Sequence, residues 1–347
     1  MMADFPPVFP CAEQAGLLAA IDTIADPIAA PAVAARLREF AASPSMAGLD
    51  GQWATRLLSH LNDRLTSRLI ALLVPRFRLP TVDWCWLALG SEGRHEQSFV
   101  TDQDNGLIFA AVDQREAEAL RALFVPFSQA VNQHLAACGF ALCSGEVMAG
   151  NPRWCLSLDE WREHFIDWVR RPDPDALLNA SIFFDLRPLY GHRALGESLR
   201  RLMLGLTSDS PAFLHLMAAN ALAAEPPLNF RGEIAGGDKD PIDLKKFGSR
   251  IFVDVARIFA LASATPAVNT GERLQLAGPQ CAMRPEELAA VDAAFSHILR
   301  LRVLAQRLNG SNEIRLTDLH EFDRTILRET LRQARRLQSR LKLNYSL

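Results

Sequence analysis

Two short stretches of the chain carry residue types at spacings that suit phosphate chemistry. Gly90-Ser91 ends the apolar run Trp84–Leu89. A position without a side chain, followed by a hydroxyl, lets backbone N–H groups approach an anion. Further on, Asp102 and Asp104 stand two apart at the start of a second apolar run. On a strand, a period of two puts both carboxylates on one face. Such a pair opposite a phosphate-cradling turn suits Mg²⁺, which takes hard oxygen ligands and keeps waters and substrate phosphates as the rest of its octahedron. Alone, Gly-Ser is an ordinary turn and Asp-x-Asp a polar strand edge. The expectation rests on the two together, in a strand–turn–strand context.

A two-metal cluster needs a third carboxylate, and Asp185 is the first candidate. It is the one acid in Ile182-Phe-Phe-Asp-Leu-Arg187, and an acid in an apolar run is costly to bury unless it is paired or holds a metal. Pairing with Arg187 is the ordinary alternative; Glu146, in Cys143-Ser-Gly-Glu, is the second choice for the ligand. Arg94 is a candidate phosphate contact, or else orients Glu96. Lys245 and Arg250, in Asp243-Leu-Lys-Lys-Phe-Gly-Ser-Arg250, could reach a triphosphate from another helix, or simply be solvated. His95 reads as a loop histidine without a catalytic role. Cys138, Cys143 and Cys155 are the only cysteines close enough in sequence to suggest a common metal, and their spacing is poor for it.

The elements that must position these residues divide the chain in three. Residues 1–80 read as helical, with Leu57, Leu58, Leu61, Leu65, Leu69 and Leu72 at three- and four-residue steps before Pro75 and Pro80. Residues 81–192 alternate strands and helices: strands at Trp84–Leu89, Asn105–Val112, Phe140–Met148 and Ser181–Leu186, with helices at Gln114–Ala137 and around Trp161–Val169. Residues 193–347 read as helices over 195–206, 211–224, 243–262, 285–308 and 316–343, punctuated by Pro226-Pro227 and Gly236-Gly237-Asp238. The fold class is therefore α+β: a small mixed-sheet domain, an all-helical C-terminal domain and a helical N-terminal extension.

Composition narrows the class further. The 37 basic and 40 acidic side chains nearly cancel, which argues against a nucleic-acid partner. The last helix has many arginines, but opposite an apolar stripe, as on a solvated amphipathic helix. Six irregularly spaced cysteines do not make a secreted disulfide scaffold. Met1–Pro10 lacks a signal-peptide pattern and no apolar run is long enough to span a bilayer, so a cytoplasmic location and no membrane partner are expected.

At Leu89-Gly-Ser-Glu-Gly-Arg-His-Glu-Gln97, Thr101-Asp-Gln-Asp-Asn105 and Phe184-Asp-Leu-Arg-Pro-Leu-Tyr-Gly191, the sequence resembles the DNA polymerase beta nucleotidyltransferase superfamily. The branch it most resembles is that of signalling nucleotidyltransferases related to bacterial PII-protein uridylyltransferase and glutamine-synthetase adenylyltransferase. Gly145–Trp154 and Asp243-Leu-Lys-Lys246 also look like this branch, the latter like its helical substrate-binding domain; the resemblance covers about residues 50–345. It implies two Mg²⁺ ions, or Mn²⁺, held by Asp102, Asp104 and Asp185, and an NTP (UTP or ATP) cradled by Gly90 and Ser91 with Arg94, Lys245 and Arg250. An NMP would pass to an acceptor hydroxyl, on a protein, in a signalling role. The cyclic-nucleotide, CBS, phosphohydrolase and ACT domains of some relatives find no counterpart. The alternative is a nucleotide-sensing module that binds without turnover and docks a protein.

Overall fold

The computed structural model describes residues 12–43, 46, 48–98, 100–235 and 240–347. Cys11, the Met1–Pro10 stretch and the Gly236-Gly237-Asp238 turn lie outside them. Four strands form a mixed sheet in the order β3-β2-β1-β4: β1 (Trp84–Ala88), β2 (Asn105–Phe109), β3 (Cys155–Ser157) and β4 (Arg187–Gly191). The β1–β2 and β1–β4 pairs are antiparallel, and β2–β3 is parallel.

The pleat sends alternate residues to two cores. Trp86, Leu107, Phe109 and Cys155 face the first, with the N-terminal helices α1 (Ala12–Asp22), α2 (Ala30–Ala41) and α3 (Gly51–Leu73), and with α4 (Gln114–Ala137). The leucine ladder forms here as its spacing requires: Leu57, Leu58, Leu61, Leu65 and Leu69 are buried, and Asp50 caps α3 by accepting from the N–H groups of Gln52 and Trp53. Cys85, Leu87, Ile108 and Leu156 face the second core. It is filled by α5 (Leu158–Arg170), α6 (Pro174–Phe183), α7 (Arg193–Ser208) and α8 (Pro211–Ala221), then by the long helices α9 (Arg250–Ala262), α11 (Pro285–Asn309) and α12 (Glu321–Tyr345). The shorter α10 (Thr270–Ala277) completes the helical half.

Three local expectations differ from the structure. Ser181–Leu186 is not a strand: its first residues end α6, and Asp185 lies in the turn before β4. Phe140–Met148 is a turn-rich loop that meets the sheet region at the Ala141–Asp102 bridge and at the Val147 carbonyl, which accepts from the Asn105 N–H. The missing edge is β4, where Pro188 is tolerated because the strand has a neighbour on one side only. Among the described residues, two further pairings appear after Gly191: the two-residue ladder β5 (Ile242–Asp243) with β6 (Glu313–Ile314), and the isolated Leu228–Ile234 bridge.

The basic last helix is more than a solvated face. Arg328 and Arg332 reach Glu233, Arg332 also reaches the Gly232 carbonyl at 3.0 Å, and Arg335 the carbonyls of Leu228 and Asn229. These contacts clasp a tight hairpin closed by the Leu228–Ile234 bridge. No described helix is long and apolar enough to cross a membrane.

Candidate functional site

β1 ends at Leu89, and the chain turns through one helical turn, Gly90–Gly93. The first N–H groups of such a turn have no partner within it and are open to an anion. Gly90 has φ +50°, and a Cβ there would stand 2.6 Å from Asp104 Oδ2. Only glycine combines that backbone with that proximity. Gly93 is just as constrained: a Cβ would lie 2.0 Å from the Asp185 carbonyl oxygen. The Leu89 N–H donates to the Asp104 carbonyl at 2.9 Å, so the Gly90 turn and the second aspartate are locked side by side.

Asp102 and Asp104 lie just before β2 and present their carboxylates together. Gln103, between them, faces the opposite way and is buried. Its side chain donates to the carbonyls of Asn132 and Phe140, both at 3.0 Å, and accepts from Asn132 Nδ2 at 2.8 Å. Asn132 also donates to Asn105 Oδ1, which accepts from the Ala149 N–H as well. This closed amide network fixes the register of the Asp-x-Asp segment from behind. Sequence spacing hides it, because α4 supplies Asn132 from far along the chain.

Asp102, Asp104 and Cys143 bring one ligand atom each within 4.8 Å of one another. Burial and the charge of Asp102 push Asp104 up to about 6, against the pull of the Cys143 thiol and the Lys245 ammonium. Two carboxylates this close repel unless a cation lies between them. The pair and the Gly90 cradle therefore fit the divalent ion that the fold family implies. Lys245 is exposed, and its charge favours the ionised form of Asp104. Asp243 positions it by accepting from the Lys245 and Lys246 N–H groups at 2.8 and 2.9 Å.

Asp185 does not join that pair, which corrects the expected three-carboxylate cluster. It is fully buried inside three guanidinium groups. Oδ1 accepts from Arg257 Nε at 3.0 Å and Arg273 Nη1 at 2.5 Å; Oδ2 accepts from Arg257 Nη2 at 2.7 Å and Arg94 Nη1 at 2.5 Å. These bonds occupy both oxygens and leave them no position for a metal. Burial alone would raise its pKa, but the charges of Arg257, Arg273 and Arg94 override it and hold Asp185 far below the usual carboxylate range. Arg187, the expected partner, instead pairs with Asp63 at 2.8 Å.

Arg94 is likewise engaged on both sides, by Asp185 and by Glu96 Oε2 at 2.7 Å, and so orients Glu96. Glu96 accepts from the Thr270 N–H at 2.7 Å, tying the loop to the start of α10. Arg250 turns along its own helix to Asp254 at 3.2 Å and is not brought to the aspartates. Ser91 stays beside Gly90, half-buried. Glu146 is exposed, in a left-handed conformation (φ 56°). His95 pairs with Asp63 at 3.6 Å, and burial drives its pKa down to about 3, so it is neutral at pH 7. Cys138 and Cys155 are buried apart from Cys143, and the three do not gather on one metal.

One functional candidate escaped the sequence. Arg302 of α11 is buried and bonds only neutral oxygens: Asn312 Oδ1 at 3.1 Å, Ser249 Oγ at 3.2 Å and Ser98 Oγ at 3.5 Å. Among the described residues it makes no ion pair, and burial lowers its pKa to about 10. Nothing in the pattern of α11 separates it from the neighbouring surface arginines.

The family comparison agrees with this geometry. The model described as "Putative nucleotidyltransferase DUF294" matches residues 35–175. The model described as "Putative nucleotidyltransferase substrate binding domain" matches residues 211–345. The chain belongs to this nucleotidyltransferase family. The first match contains the Gly90 turn, both site aspartates and all of α3; the second contains Lys245, Arg257, Arg273 and Arg302. A nucleotide substrate follows from the family. No curated protein matches the chain.

Proposed function

We infer that this nucleotidyltransferase moves an NMP from an NTP, UTP or ATP, to an acceptor hydroxyl on a protein in a regulatory role, with Mg²⁺ or Mn²⁺ at Asp102 and Asp104. The observation that carries it is the pair of carboxylates on one face, beside a glycine turn that no other residue could form so close to Asp104. The backbone N–H groups at Gly90 and Ser91 bind the β- and γ-phosphates. Asp102 and Asp104 would hold the divalent ion that bridges them to the phosphates, and Lys245 would add positive charge. A bound ion supplies Lewis-acid polarisation of the phosphoryl group and charge neutralisation of the leaving pyrophosphate, a contribution of several kcal/mol. The reading needs no covalent enzyme intermediate.

The test uses NTPs labelled at the α- and γ-phosphates with the full chain and cell lysate. Label should reach a protein acceptor from the α-labelled NTP only, with pyrophosphate released, and Asp102→Asn and Asp104→Asn should each reduce it at least a hundredfold. Equal labelling by parent and variants would refute the mechanism. One observation favours a second reading, a nucleotide sensor without turnover: the caged Asp185 leaves the pair without a third carboxylate. Tight Mg-NTP binding with no pyrophosphate release across a broad acceptor panel would select it.

A further inference from the structure

We propose that Cys143 turns the Asp102–Asp104 pair into a mixed oxygen–sulfur site that takes a thiophilic divalent ion, of the zinc class, in competition with Mg²⁺. The proposal rests on the two aspartates being the metal-holding pair inferred above, and adds a third donor of different chemistry. Asp185 is unavailable to the pair because three arginines occupy it. Among the described residues, the side chain that completes a three-donor group is Cys143, through its Sγ.

The thiol is held there by the backbone on both sides. Upstream, Ala141 bridges to Asp102, and its carbonyl accepts from the Gln103 N–H at 2.9 Å. Downstream, the Val147 carbonyl accepts from the Asn105 N–H at 3.1 Å. The loop between these anchors brings the Cys143 Sγ within 4.8 Å of a carboxylate oxygen of Asp102 and of Asp104. Zinc binds sulfur at about 2.3 Å and carboxylate oxygen at about 2.0–2.2 Å, so two donors at the tetrahedral angle on one ion stand about 3.4–3.7 Å apart. The three donor atoms, within 4.8 Å of one another, reach this spacing by drawing together by about 1 Å, a movement within reach of side-chain rotation.

Donor type then sets which ion wins. Mg²⁺ demands oxygen and gains nothing from the thiol, whereas Zn²⁺, Co²⁺ and Cd²⁺ accept a thiolate readily. On binding, the thiol proton passes to solvent and the sulfur becomes the third ligand, with water as the fourth. Because the same two carboxylates are used, occupancy by the two classes of ion is mutually exclusive.

The experiment titrates the metal-free full chain with Co²⁺ and reads the near-ultraviolet thiolate-to-cobalt charge-transfer band. Mn²⁺ binding is followed in parallel by water-proton relaxation. The wild-type chain should show a saturable band at one Co²⁺ per chain, reversed by Zn²⁺. Cys143→Ser and Cys143→Ala should lose the band and at least tenfold in Co²⁺ affinity, while changing Mn²⁺ affinity less than threefold, which also reports that both variants fold. A band that survives in either variant, or Co²⁺ binding to wild type without a band, overturns the proposal and leaves the nucleotidyl-transfer reading intact. Failure of wild type to bind either Mn²⁺ or Co²⁺ overturns both.

Discussion

Asp185→Asn tests the arginine cage at its centre. The change keeps the volume and removes one charge, leaving Arg94, Arg257 and Arg273 facing a neutral amide in a site closed to water. Removing one partner of a buried ion pair costs about 3–5 kcal/mol, because the remaining charge is uncompensated. At roughly 2.1 cal/mol/K per residue, 347 residues unfolding as one unit carry about 0.7 kcal/mol/K, so the cost becomes a fall in Tm of about 4–7 °C. The sign with pH is fixed. A carboxylate whose folded pKa is depressed stabilises above its unfolded value and loses that contribution as pH falls. The Tm gap between parent and variant should therefore stay constant from pH 8 to about 5 and narrow only below about 4. Scanning calorimetry measures it, with Asp185→Asn/Arg257→Met as the coupled variant. Removing one stranded cation should recover part of the loss, a non-additivity expected of groups in contact. A Tm shift under about 1 °C would refute the cage as a stabilising unit. An unchanged Tm with lost Mn²⁺ binding would return Asp185 to the metal ligands.

Three further outcomes follow from other parts of the site. Burial and the nearby charge of Asp63 push Glu92 up to about 8, against the pull of Arg187, so the folded chain holds a proton there that the unfolded chain gives up near pH 4.5. In the metal-free chain, Glu92→Gln should therefore gain Tm relative to the parent as pH rises from about 5 to 8; a pH-independent difference in calorimetry would contradict this. Gly90→Ala forces a Cβ against Asp104 Oδ2 at a positive φ. It should lower Mn²⁺ affinity at least tenfold while costing only about 1–3 kcal/mol in stability, read by relaxation titration and thermal melting. Arg335→Ala removes the clasp on the Leu228 and Asn229 carbonyls. Trypsin should then cut after the exposed Arg231 several-fold faster, as timed by mass spectrometry.

How much was legible depends on how local each signal is. Helices with a full apolar stripe were readable, and α4 begins and ends at the expected residues, Gln114 and Ala137. The Gly90 turn and the Asp102–Asp104 pair were readable because their chemistry lies within one short stretch. Ser181–Leu186 was misread because a short apolar run fits a buried helix end as well as a strand. β4 was missed because Pro188 hides an edge strand. The burial cost of Asp185 was inferred correctly, but the partners that offset it come from positions 94, 257 and 273, and no local pattern distinguishes a guanidinium cage from a metal. Arg302 and the amide network behind Gln103 were missed for the same reason.

The loop that joins the glycine turn to the aspartates has a consequence for when the site can exist. Gln97 is held by α3, through the Ser59 hydroxyl and Asn62. Glu96 is fixed at Thr270, and Ser98 and Val100 at Gln306, which is itself tied to Asn312. A chain emerging from the ribosome therefore exposes both the Gly90 turn and the Asp102–Asp104 pair long before Thr270, Gln306 and Asn312, which help to set their spacing, have been made. The loop acquires its final shape only when the chain has been synthesised past Asn312 and α11 has docked. A product truncated before Asn312 carries the motif without the geometry.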